Sequence, residues 1–155
     1  MLQGQKETIL ALLKTDKANK NYEKNYWFLY EDFLDPTDGF TSFSCEDHEG
    51  KQGYITLIEN LLHADDTARI FVEVYGYEEV NNEQFIYSDT LIIYSKLSLT
   101  KIKQIFNKPE DIFPSDIGEM TDFSQPAFLI NHDGSLVPVA ENSREGYFVY
   151  YCWWD

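Results

Sequence analysis

Basic residues are scarce in this chain: 12 lysines and arginines stand against 27 aspartates and glutamates, a formal net charge of −15. Gripping phosphate takes a basic footprint, so the shortage argues against nucleic acid as a direct ligand and against anionic membrane surfaces. Cysteine is nearly missing as well. Cys45 and Cys152 form no C-x-x-C and no metal-ligand spacing, so the pattern is not a disulfide framework. Buried free thiols are expected, with one long-range disulfide as the alternative. Long apolar runs are absent. The first, Ile9 to Leu13, is shorter than the core of a signal peptide, and none reaches transmembrane length. A cytoplasmic location is the expectation. There is no G-x-S-x-G, no G-x-x-x-x-G-K-[ST] and no G-x-G-x-x-G, which removes the usual serine hydrolases, P-loop proteins and dinucleotide-binding folds.

What the chain does have is aromatic bulk and an uneven charge. Its 155 residues include 3 Trp, 11 Tyr and 11 Phe, enough apolar area for a sizeable core, and its length predicts one domain, 1–155. Residues 1–24 carry five lysines and three acids; the remainder carries seven bases against 24 acids. Such an imbalance favours solubility and fast, salt-sensitive association with a basic partner.

Periodicity sketches the elements. Ile9, Leu12 and Leu13 predict a helix over 5–14, followed by a polar stretch over 15–25 that reads as a loop or a solvated continuation. Tyr26–Tyr30 reads as a buried strand, with a helical reading through Phe33 as the alternative. Asp35-Pro36-Thr37-Asp38-Gly39 is a turn, and a short strand fits Phe40–Ser44. Tyr54, Leu57, Ile58, Leu61 and Leu62 recur at helical spacing. Strands are predicted at 69–75 and across 84–94, joined by a hairpin over 79–83. Ser98 is placed to cap a third helix that Pro109 stops. An irregular crossing over 109–125 leads to a hairpin, 127–130 with 136–139, turning at Asn131-His132-Asp133-Gly134. Pro138 marks an edge, and the aromatic run Tyr147–Trp154 reads as a strand covered on both faces. The expected class is α+β: one domain, a mostly antiparallel sheet and about three helices packed on it.

Candidate chemistry is sparse. Cys45 lies beside Glu46, Asp47 and His48, but adjacent carboxylates raise a thiol pKa and suppress nucleophilicity. His48, His63 and His132 have no spacing that converges on a metal, and the turn at 35–39 fails the calcium-loop pattern at its third and fifth positions. No catalytic residue, cofactor or metal is therefore assigned. The most distinctive cluster is acidic: Glu31, Asp32, Asp35, Asp38, Glu46, Asp47 and Glu49 bracket Phe33, Phe40 and Phe43, with no base between Asn25 and Gly50. Carboxylates around aromatic anchors suit an interface with a Lys/Arg-rich patch, so these seven residues are the candidate partner-binding set.

In its overall profile (small, acidic, aromatic-rich, one α+β domain without a catalytic motif) the chain resembles the bacterial immunity proteins that neutralise polymorphic toxins. The resemblance covers composition and expected architecture, and it carries no functional residue onto a numbered position. It implies a non-catalytic antidote that blocks a basic toxin domain, for which a nuclease would fit. Two other readings stand beside it: a small enzyme with a carboxylate-based site, and a homo-oligomeric domain that associates through its aromatic C-terminal strand.

Overall fold

The computed structural model describes residues 1–44, 50–108, 112–139 and 145–155. Helix α1, Gln3–Asn19, runs past the predicted residue 14, so the polar stretch begins as a solvated helical continuation. Strand β1, Asn25–Leu29, passes directly into a one-turn helix α2, Tyr30–Phe33; both readings of the Tyr26–Phe33 stretch therefore hold in part. Strand β2 is Thr41–Phe43 and helix α3 is Lys51–Ala64. Strands β3, Arg69–Val80, and β4, Glu83–Ser95, form a long hairpin. Its two turn residues, Asn81 and Asn82, sit at φ 52° and 66°, the left-handed pair that tight hairpin turns require and asparagine tolerates. Helix α4, Leu99–Phe106, starts at Ser98, whose hydroxyl accepts from the Lys101 amide. Strands β5, Asp116–Glu119, β6, Ala127–Ile130, β7, Leu136–Pro138, and β8, Phe148–Trp153, complete the chain. Strand β5 lies inside the stretch read as an irregular crossing.

The strands make one eight-stranded sheet in the order β5-β8-β4-β3-β1-β6-β7, with β2 attached to the outer half of β4. Pairing is antiparallel except for β1 with β6 and β2 with β4. Pro138 does fall on the edge strand β7, and β8 is flanked on both sides, by β4 and β5. The class is α+β, with a fourth, one-turn helix beyond the expected three.

Side chains alternate along each strand, so the sheet has two chemically distinct faces. On one, Tyr26, Phe28, Ile70, Val72, Leu91, Ile93, Tyr150 and Cys152 pack against Ile9 and Leu10 of α1, Leu57, Ile58 and Leu61 of α3, and Ile102 and Phe106 of α4. The other face gathers Trp27, Phe71, Ile92, Tyr94 and Val149, with Met120, Phe123, Leu129 and Tyr151 at their margin. Among the described residues no helix contributes to that second cluster. No described helix is long and apolar enough to cross a membrane. Cys152 is a buried free thiol whose pKa burial pushes well up; Cys45 falls outside the described residues.

Asp65, at the end of α3, ties that helix to the sheet. One carboxylate oxygen accepts from the Thr67 amide and hydroxyl at 3.1 and 2.6 Å; the other accepts from the Ser95 hydroxyl at 2.7 Å and the Lys96 amide at 3.0 Å. Burial alone raises its pKa, but the donors from Thr67, Ser95 and Lys96 outweigh burial and hold it at about 2. Because the folded pKa lies below the ordinary carboxylate value, this contribution is complete above about pH 4 and is lost as pH falls toward 2. Asp65→Ala is expected to cost about 2–4 kcal/mol in urea unfolding at pH 7, by orphaning buried donors. The same variant should lose less further stability than the parent between pH 4 and pH 2.

Candidate functional site

The turn after α2 exists because its own carboxylates hold it. Asp35 accepts from the Thr37 amide and hydroxyl at 2.9 and 2.7 Å, and these bonds draw its pKa down to about 2. Asp38 accepts from the Thr41 amide and hydroxyl and pairs with the Lys51 ammonium at 3.0 Å. Burial pushes the Asp38 pKa upward, but the amino group of Met1, Thr41 and Lys51 more than offset it, so the net shift is down. The Lys51 and Asp38 side chains are only 10% and 8% exposed. Asp32 accepts from Gln5 Nε2 at 2.9 Å and faces His132 Nδ1 at 3.1 Å across the first turn of α1 and the β6–β7 turn. Of the candidate partner-binding residues, Asp32, Asp35 and Asp38 thus bind their own chain, and Glu31 is exposed to solvent. Glu46, Asp47 and Glu49, along with His48, lie outside the described residues.

A different set of acids meets on the helix-free face. Glu73, Asp89, Asp116, Trp27, Tyr151 and Trp153 come from five strands and converge because of register: Trp27 is opposite Glu73, and Asp116 is opposite Trp153. A register shift in β3–β4 between Glu73 and Gly76 sits beside them, with the Ser88 hydroxyl bonded to the Glu73 carbonyl. Bulges of this kind re-aim side chains next to sites. Each carboxylate is held by one aromatic donor. The Trp27 indole donates to Glu73 Oε2 at 2.7 Å, the Trp153 indole to Asp89 Oδ2 at 3.0 Å, and the Tyr151 hydroxyl to Asp116 Oδ2 at 3.1 Å. Gly118 makes room for this last contact: a Cβ there would meet the Tyr151 hydroxyl at 2.8 Å.

Of these residues, Glu73, Asp116, Tyr151 and Trp153 line a cavity of about 340 Å³ whose walls also include Asn25, Thr90, Ile92 and Met120. Glu73 is partly buried in it. Desolvation raises its pKa, the bond from Trp27 opposes that rise, and the charge of Asp89 adds to it. Among the described residues none of the three carboxylates has an ion-pair partner. Arg69, the basic residue on the same side of β3, lies over the Phe71 ring at 5.1 Å instead. A larger depression, about 520 Å³, is bounded by Ser44, Tyr77, Tyr87, Asp89 and Trp154.

No group of three or more His, Cys, Asp or Glu side chains able to hold a metal ion occurs among the described residues. His63 is exposed on α3, and His132 contacts only Asp32 among the groups named above. Compared with protein-family models, curated proteins and solved structures, the chain has no match. Its class is defined by architecture: an α+β domain whose described helices pack on one face of the sheet, with an acidic, aromatic cavity on the other.

Sequence reading missed this site because its acids are single residues in otherwise apolar or mixed strands. The usable signal was the acid at Glu73, interrupting the apolar run from Ile70 to Val74.

Two measurements separate the structural acids from the cavity acids. Lys51→Ala removes one of the two cations on buried Asp38, leaving the Met1 amino group at 2.9 Å, and is expected to cost about 1–2 kcal/mol in chemical denaturation, while Glu31→Lys should change stability by less than about 0.5 kcal/mol. Trp27→Phe removes the donor to Glu73, so the Glu73 pKa should rise further above the ordinary carboxylate value in a carbon-detected NMR titration.

Proposed function

We propose that this protein is a non-catalytic binding module that neutralises a basic protein domain, an antidote of the immunity-protein kind. The observation that carries the reading is the helix-free face, where Glu73 and Asp116 line a cavity with Trp153 and Tyr151, Asp89 accepts from the Trp153 indole, and none of the three acids has an ion-pair partner among the described residues. Carboxylates beside exposed aromatic rings offer a basic surface both steering and anchoring. Trp153 is 38% exposed, and Tyr75, which borders the larger depression, is 80% exposed. The net charge of −15 adds a long-range attraction for a positively charged domain. The acids at positions 32, 35 and 38 support the role indirectly, by fixing the turn they belong to.

One observation favours a second reading. Glu73 is a carboxylate with a raised pKa in a cavity, the kind of group that serves as a general acid or base in an enzyme. Its lack of an identified nucleophile or substrate-binding partner keeps this second.

Tagged protein and the Asp89→Asn/Asp116→Asn variant would be used to capture partners from source-cell extract at low and high salt. The expected outcome is one basic protein retained at low salt, released as salt rises, and retained markedly less by the variant. Capture that ignores both salt and the two substitutions would overturn the reading.

A further inference from the structure

We infer that the outer edge of β3, from Val74 to Val80, takes up an extended acidic segment of a partner protein as an added strand. None of the acids of the cavity described above takes part. Strand β1 runs beside β3 only from Trp27 to Leu29, opposite Glu73 to Phe71. Its opening residues, Asn25 to Trp27, pair with β6 instead. The register shift of β3 between Glu73 and Gly76 falls where β1 and β3 part. Beyond it β3 stays paired with β4 as far as Val80, and among the described residues no strand lies on its other side. An open edge of this length is a row of backbone donors and acceptors, the template on which an extended peptide adds a strand.

The gap between the parting strands is a groove of about 320 Å³. Leu13 and Lys17 of α1 form one wall, and Tyr22 and Lys24 form another. The second wall is fixed in place: Gln125 Nε2 donates to the Tyr22 carbonyl at 2.7 Å, and the Asn25 amide donates to the Pro126 carbonyl at 2.9 Å. A pre-formed groove spares an incoming strand the cost of ordering it. Tyr22 and Tyr75, both lining the groove, are the two most exposed large apolar side chains among the described residues. Tyrosines in such a position are typical interface anchors. Charge specifies the occupant. Lys17 Nζ lies 5.7 Å from the Tyr77 ring and Lys24 Nζ 6.0 Å from that of Phe128. Asp16, the one acid among the described lining residues, accepts from the Tyr26 hydroxyl at 2.5 Å. The groove thus carries two lysines against one internally bonded carboxylate, in a chain of net charge −15. At physiological salt, exposed charges are screened beyond about 8 Å, so the two lysines set the local field. A second copy of the chain would bring another −15 to this edge, which disfavours self-pairing.

The test pans a library of random peptides displayed on phage against the whole chain at physiological salt. Enriched peptides are then synthesised and titrated into ¹⁵N-labelled protein. They are expected to combine β-branched or aromatic residues with Asp or Glu. In the spectra they should shift the amides of Val74 to Val80 saturably and slow their hydrogen exchange, the signature of an added strand. Lys17→Glu/Lys24→Glu, on two exposed side chains, should weaken these peptides about tenfold. Tyr75→Ala, on the most exposed of the tyrosines, should also weaken them and gives the reading if the charge reversal disturbs the fold. Asp89→Asn/Asp116→Asn, on the acidic face, should leave their binding unchanged, which separates this edge from the function proposed above. Failure to enrich any peptide above the blank overturns the proposal, and so does enrichment of basic peptides. Peptides that leave the amides of Val74 to Val80 unshifted, or bind the charge-reversed protein equally, overturn it too. Dimerisation in sedimentation that Tyr75→Ala abolishes would assign the edge to a second copy and likewise overturn it.

Discussion

Side chains along β1, β3, β4 and β8 alternate between two faces, and among the described residues helices cover only one of them. Most of the structure follows from that asymmetry. The apolar stripes of α1, α3 and α4 satisfy Phe28, Val72, Leu91, Ile93 and Cys152 on the covered side. On the side without described helices, Trp27, Phe71, Ile92, Tyr94 and Val149 form a second buried cluster, and Tyr151 and Trp153 at its margin join an apolar body to a polar tip. The polar tips in turn select acids: an indole N–H or a phenol is a donor looking for an acceptor, and Glu73, Asp89 and Asp116 supply one each.

The carboxylates of this protein consequently fall into two populations with opposite electrostatic fates. Asp35, Asp38 and Asp65 sit among several donors, and their pKa values are drawn below the ordinary range. They act as local staples, joining a turn to a helix or a helix to a strand. Glu73 has a single donor and a neighbouring negative charge, and its pKa moves up. An acidic sequence therefore does not translate directly into an acidic surface: the acids densest in sequence around the 35–39 turn include some of those most fully used by the fold.

Much of the architecture was legible in the sequence, because apolar periodicity and turn chemistry are local signals. The caps and turns at Ser98, at Asn81–Asn82 and at Asn131–Gly134 fall where those residues predict them. Strand β5, Asp-Ile-Gly-Glu, was not legible, because four mixed residues carry no period and its pairing with β8 is decided by tertiary context. The outer end of β3 was missed for a related reason: the strand reading stopped at Tyr75 and took 79–83 as the connection, whereas pairing with β4 holds Gly76–Val80 extended and narrows the turn to Asn81–Asn82. The candidate site was illegible because it is assembled from strands β1, β3, β4, β5 and β8 by a pairing register that no single segment encodes.

The parallel ladder between β1 and β6 has its own consequence. It joins Asn25–Trp27 to Ala127–Leu129, roughly a hundred residues later in the chain, and no local hairpin can form it first. During synthesis the β3–β4 hairpin can close as soon as its turn emerges. The flank of the sheet beyond β1 must instead wait until β6 has been made, which leaves the outer edge of β1 exposed through most of translation. This domain's window of vulnerability to misassociation in the cell is thus set by the order of its strands as much as by its final stability.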